Sequence, residues 1–331
     1  MSKRYSFLAV TTAVCALALT NQTALADTTV FSDTFGSGST LNAAPTAPTA
    51  TSTSYEYGAG NTNNSVISIA PGDLSLRLGS STTILGEIAA QFGASPVTLA
   101  NVGDFVDLQI TWVATSNVFS GAAGTATQVA LGLYNSGGSA PQQGNVLFNG
   151  TTSPTGGAQN WEGYYGNAFQ GSNSKTVARP KQTSATSAQN QELLFGGASG
   201  TQAFNSPVGG QLTSGSKATT ITETPGATNT SELRITLTGV NSLAVSNMMF
   251  AGAGTGGTLI FSENGTTNSA SDFTFDGLAF GWRFSGAAAA NSALDLQSVT
   301  VTTNVVPEPS SILLASAGIC LMLGMIRRRR S

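Results

Sequence analysis

DFTFDGLAFGWRFSG, residues 272–286, places Phe273, Phe275, Leu278, Phe280, Trp282 and Phe284 among glycines and two aspartates. Aromatic residues in a short alternating run suit a pleated, half-buried strand. Asp272 and Asp276 are four apart, so on a strand they share a face and stand roughly 13 Å apart at about 3.3 Å per residue. Phe273 and Phe275 then take the other face. This reads as an edge strand with an exposed acidic side and an apolar underside.

Similar runs lie on both sides: SLRLGSS (75–81), DFVDLQITWVAT (104–115), ATQVALGLYN (126–135), SELRITLTG (231–239), GTLIFSEN (257–264) and ALDLQSVTVTT (293–303). Shorter candidates are 28–35, 65–70, 145–149, 191–195 and 243–250. Gly, Asn and Ser clusters separate them, which predicts an all-β protein. TTILGEIAAQFG (82–93) reads two ways. Ile84, Leu85, Ile88, Ala89 and Phe92 fall at helical spacing, and the same residues fit a strand interrupted by Gly86. LNAAPTAPTATSTS (41–54) and roughly 150–190 are predicted loops. DTTVFSDTFG, near the start, and ALDLQSVTVTT, near the end, both alternate and are expected to lie side by side in one antiparallel β-sandwich.

Composition excludes several function classes. Between Asp27 and Val306 there are seven basic and 15 acidic residues, a net charge of −8. Nucleic acid is therefore excluded as an expected partner, because phosphate neutralisation needs clustered Lys and Arg. Cys15 and Cys320 lie outside that stretch, so it holds no disulfide and depends on a buried core. The chain has no histidine, which removes Ser-His-Asp and Cys-His nucleophile systems and imidazole zinc sites. No cofactor and no metal are expected.

The ends carry addresses. MSKRYSFLAVTTAVCALALTNQTALAD has Lys3 and Arg4, an apolar stretch from Phe7 to Leu19, and a small-residue site at Ala24 and Ala26. That order is a secretory signal peptide, residues 1–26, with cleavage expected before Asp27. At the other end, Pro307-Glu308-Pro309 precedes an uncharged apolar run from Ser310 to Ile326 and then Arg327, Arg328, Arg329 and Arg330. As a helix the run covers roughly 25 Å, a short transmembrane span. The arginines are expected to stay cytoplasmic, since each costs about 2.5–3.5 kcal/mol at the bilayer centre. The two prolines hold the tripeptide extended outside the membrane.

This order resembles the PEP-CTERM sorting signal of Gram-negative bacteria, here residues 305–331. The resemblance implies an exosortase as partner, an inner-membrane-anchored precursor, and release or transfer to the cell surface or an exopolysaccharide matrix. Residues 27–304 form the remaining domain. Its VFSDTFG, DFVDLQITWVAT, FTFDGLAFGWRF and SALDLQSVTVTT resemble the strands of concanavalin A-like jelly rolls. Glucanases of that group carry a Glu-x-Asp-x-x-Glu strand, which is absent here, so no functional residue is carried over. Asp104 and Asp107 are three apart, hence on opposite strand faces, and join as calcium ligands only if DFVD bends.

One cluster suits glycan binding. In NWEGYYGNAFQ (160–170), Trp161, Tyr164, Tyr165 and Phe169 sit among glycines in a polar region, and loop-borne rings stack on sugar faces. The competing reading is a small core over one end of the sandwich. Glu162 would hydrogen-bond sugar hydroxyls in the first case. The overall expectation is a non-enzymatic structural or adhesive surface protein, with a carbohydrate-binding module as the alternative.

Overall fold

The computed structural model describes residues 27–36, 56–59, 67–70, 73–77, 83–92, 96–115, 119, 128–138, 160–169, 174–181, 193–194, 210–217, 221–285 and 293–305. In chain order the strands are β1 (Thr28–Asp33), β2 (Glu56–Ala59), β3 (Ile67–Ala70), β4 (Asp73–Arg77), β5 (Thr83–Gln91) and β6 (Val97–Thr98). Then come β7 (Phe105–Ala114), β8 (Gln128–Asn135), β9 (Glu162–Phe169), β10 (Lys175–Arg179), β11 (Gly210–Gln211) and β12 (Thr213–Lys217). The series ends with β13 (Thr228–Gly239), β14 (Ser242–Ala251), β15 (Thr258–Thr267), β16 (Thr274–Phe275), β17 (Gly277–Ser285) and β18 (Ala293–Thr303).

These form a nine-stranded sheet ordered β12-β15-β14-β13-β7-β18-β4-β3, with β1 also on β18, and a seven-stranded sheet ordered β11-β10-β9-β8-β17-β5-β2. A two-stranded piece pairs β16 with β6. β9 and β10 meet β14 and β15 across the gap, so the chain is an all-β sandwich of antiparallel sheets. The pairing of β1 with β18 is the neighbour relation expected of DTTVFSDTFG and ALDLQSVTVTT.

Alternation along each strand builds the core. Val106, Leu108, Ile110 and Trp112 of β7 line up with Leu233 and Ile235 of β13 and with Leu296, Val299 and Val301 of β18, all buried. In β18 the apolar phase slips by one residue after Leu296. A register shift between Leu296 and Ser298 absorbs the slip and leaves Gln297 exposed, as a bulge does. Ile88, Leu131, Leu133, Leu278, Phe280 and Trp282 face them from the seven-stranded sheet. The sheets approach closely at Gly166, where an added Cβ would stand 2.6 Å from Cβ of Asn247.

Several expectations change. Of the two readings of 82–93 the strand holds: Thr83–Gln91 pairs along β17, so the helical spacing is not used. The predicted loop at 150–190 contains β9 and β10. Of the predicted strand at 191–195, the described residues Leu193 and Leu194 form a bend. DFTFDG is broken after Phe275, and Asp272 and Asp276 are buried, so no exposed acidic edge exists there. The candidate strand at 145–149 and the loop at 41–54 lie outside the described residues.

Candidate functional site

Ala24, Ala26, Pro307, Glu308, Pro309 and Arg327–Arg330 lie outside the described residues, as does the expected transmembrane run. Among the described residues no helix is long and apolar enough to cross a membrane.

The aromatic cluster is not loop-borne. Glu162–Phe169 is a strand inside the seven-stranded sheet, with β8 on one side and β10 on the other. Consecutive residues of a strand point to opposite faces, so Tyr164 and Tyr165 are separated. Tyr165 lies with Trp161 on the face turned away from the nine-stranded sheet. Tyr164 packs at 6.3 Å from the Phe275 ring and donates to the Asp272 carbonyl at 3.3 Å. Burial, more than the nearby Asp272, pushes its phenol up to about 12. Trp161, Tyr164 and Tyr165 are all buried, and the described backbone of Phe169 pairs with Gln128. These three rings present no free face to a sugar. Glu162 forms an ion pair with Lys181 at 3.0 Å.

The acidic pairs are also occupied. Asp104 precedes β7, and its Oδ2 accepts the N–H groups of Ala100 and Asn101 at 2.8 and 2.7 Å, which fixes the turn. Asp107 is on β7 and accepts from Gln109 at 2.8 Å, so the two aspartates do not converge. Asp107 instead meets Glu232 of β13, whose carboxyl is pushed above its ordinary range by burial and by the Asp107 charge. Asp276 accepts the N–H and hydroxyl of Ser136 at 2.7 and 2.8 Å. Asp272 accepts Thr274 N–H at 2.9 Å, and burial raises its pKa. Among the described residues no group of three metal-ligating side chains occurs.

A different site emerges around Glu87. The outward face of the seven-stranded sheet carries Glu87 and Ala89 on β5, Ala279 and Gly281 on β17, Ala130 and Gly132 on β8, Tyr165 on β9, and Val177 and Arg179 on β10. Small residues make the floor of a trough. Large ones lie over it: the Tyr134 ring covers Gly132, and the Trp161 ring sits where a Cβ on Gly277 would be, 2.5 Å from Cζ3. Trp161 and Tyr134 pack at 6.0 Å with ring planes tilted by 50°. Arg179 donates to the Trp161 carbonyl.

Leu193 and Leu194 fill this trough and are buried against Ala89, Ala130, Tyr134, Trp161, Tyr165, Val177 and Ala279. Their N–H groups donate to the two carboxylate oxygens of Glu87, at 3.2 Å each. Tyr134 donates its hydroxyl to the Leu193 carbonyl at 2.7 Å. The arrangement is a clamp on a bend of the main chain. The sequence held one signal for it: Glu87 is a lone charge in an apolar run, and Leu193-Leu194 is an apolar pair in a polar stretch. Neither residue names the other.

Burial raises the Glu87 carboxyl from 4.5 to about 7, against the lowering effects of the two N–H donors and of Arg179. The folded value exceeds the unfolded one, so this contribution to stability is fully present below pH 4.5 and is lost as pH rises through 7. The loss amounts to about 3 kcal/mol across that window. Glu87→Gln cannot ionise. Denaturant titrations at pH 4.5 and 7.5 are expected to show the wild-type-minus-variant difference moving by that amount in the variant's favour at the higher pH. A difference that stays flat with pH would show that Glu87 keeps its ordinary titration.

No protein-family model matches the chain. No curated protein matches it either. Among solved structures it is similar to lectin II from Ulex europaeus, at 11% identity over 76% of this chain and 93% of that one, with a TM-score of 0.37. It is similar to the Emp47p carbohydrate recognition domain at 10% identity over 76% and 89%, with a TM-score of 0.37. Arcelin-5, a lectin-like defence protein from Phaseolus vulgaris, matches at 14% identity over 75% and 92%, with a TM-score of 0.35. No residue role is carried over from these proteins.

Proposed function

We propose that this chain is an exported, non-enzymatic β-sandwich of concanavalin A-like type, sorted through its C-terminal signal to the cell surface or extracellular matrix. There it acts as a structural or adhesive component of an exopolysaccharide layer. The observation that carries the reading is the order Pro307-Glu308-Pro309, uncharged run, Arg327–Arg330, placed after a cysteine-free β domain. A core built from two sheets supports it, because such a domain needs no disulfide outside the cytoplasm. The buried rings at 161–165 do not serve glycan contact. The reading assigns that contact to the half-exposed hydroxyls and amides on the outer face of the nine-stranded sheet, such as Thr300, Thr302, Ser246 and Asn264.

Replacing Arg327–Arg330 by serine tests the topology. With the stop-transfer charge removed, part of the tail is expected to slip outward. A C-terminal epitope should then become sensitive to protease added to cells with permeabilised outer membranes, while wild-type epitope stays protected. Equal protection of both would remove the arginines from the account.

A further inference from the structure

We infer that the end of the sandwich bearing Val102 and Val240 is a lipid-contact surface, which seats the domain on the outer surface of the inner membrane while the precursor is held by its tail. This seat presupposes that residues 305–331 are a sorting tail with a membrane span, as proposed above, and adds which part of the domain the lipid touches.

Among the described residues three large apolar side chains are exposed, and two of them stand together: Val240 at 92% and Val102 at 71%. They flank a groove of about 290 Å³ whose walls include Leu99, Leu237, Asn241 and Phe273. Main-chain bonds join these walls. Gly103 N–H donates to the Leu237 carbonyl at 2.8 Å, Leu237 N–H to the Asp104 carbonyl at 2.9 Å, and Leu99 N–H to the Phe273 carbonyl at 2.9 Å. The two valines are thus held out by fixed turns. PVTLANVG (96–103) and TGVNSL (238–243) carry no charge. Asp104 and Asp272, beside them, are buried and accept N–H groups of their own turns. An exposed apolar rim marks an interaction site. Its lack of charge suits an anionic lipid surface, which repels the rest of a domain of net charge −8.

The exit of the chain selects lipid as the occupant. β18 runs to Thr303, which pairs with Val106 and donates its hydroxyl to the Phe105 carbonyl at 2.6 Å. It therefore ends beside the start of β7, two strand spacings or roughly 10 Å from the end of β13 that leads into the Val240 turn. Ser310, where the proposed span begins, follows Thr303 closely enough in sequence to lie within roughly 25 Å of it at full extension. The opposite end of the sheet, at the turn 252–257, stands the length of β14 away, roughly 34 Å. With Thr303 tied that near the bilayer, the valine end reaches the lipid and the opposite end does not. Two valines bind lipid weakly alone, and the tether supplies the effective concentration that makes the contact persist. The seat keeps Pro307–Pro309 at the bilayer surface, within reach of a membrane-embedded processing enzyme, and lapses once cleavage removes the tether.

The full precursor from Asp27 to Ser331, purified from cells without an exosortase and reconstituted in vesicles of phosphatidylethanolamine and phosphatidylglycerol, tests this. Nitroxide-bearing lipid quenches a fluorophore that touches the bilayer. One chain carries the fluorophore on its own Cys320, in the proposed span. Two others carry Cys320→Ser with either Val240→Cys or Thr255→Cys, Thr255 being exposed in the turn at the opposite end. Strong quenching is expected at 320 and 240 and none at 255. Adding Val102→Asp should reduce quenching at 240 and leave that at 320 unchanged. Quenching at 320 without quenching at 240, or equal quenching at 240 and 255, overturns the seat while the span stands. A blue shift at 240 without quenching also overturns it, since protein and not lipid then covers the groove. Absence of quenching at 320 removes the span, and the seat falls with it.

Discussion

Trp161→Ala is expected to cost about 3–5 kcal/mol of folding stability, the range for removing a fully buried Trp or Phe side chain from a core. The indole is completely buried, packs against Tyr134, and occupies the space that glycine leaves at position 277. Its removal opens a cavity that the strand backbones of β8 and β17 cannot close without disturbing their pairing. Loss on this scale is a large part of the roughly 5–15 kcal/mol that holds an ordinary domain. Urea titration is the measurement: a midpoint displaced far below wild type with an unchanged slope is the expected result. A Trp exposed on a loop would instead shift stability by less than about 0.5 kcal/mol. That outcome would return Trp161 to the surface and to sugar stacking.

The sheets were legible where apolar residues alternate without interruption. DFVDLQITWVAT, GTLIFSEN and ALDLQSVTVTT read directly as β7, β15 and β18. Strands β9 and β10 were not, because EGYYGNAF and KTVAR carry glycine and charge where a strand usually carries β-branched residues. The reason is tertiary. Gly166 is small because Asn247 of the opposite sheet stands against it, and strand propensity measures such packing and not backbone preference alone. The same cause hid the site. Trp161 and Tyr165 look like exposed rings only while their partners, Leu193 and Leu194, are out of view, and that pairing is non-local. The acids were misread for a related reason: Asp104 bonds to the main chain of the turn before it and Asp276 to Ser136, 140 residues away, which spacing along a strand does not reveal.

The second large effect concerns the tail. Replacing Pro307-Glu308-Pro309 by alanines would remove the extended grip proposed for the processing enzyme, and alanine favours continuing the proposed membrane helix outward. Export through the proposed N-terminal signal would read the other end of the chain and should be unaffected. The expected result is near-complete retention of full-length protein in the inner membrane, with little or none released. A plain C-terminal anchor predicts no difference between variant and wild type.

The most direct measurement is the intact mass of wild-type protein recovered from the cell surface of an exosortase-bearing host. On this account the expected wild-type product begins at Asp27 and lacks Arg327–Arg330, while the alanine variant is expected only in membranes, beginning at Asp27 and still carrying the four arginines. Surface-released wild-type protein that still carries the four arginines would contradict it.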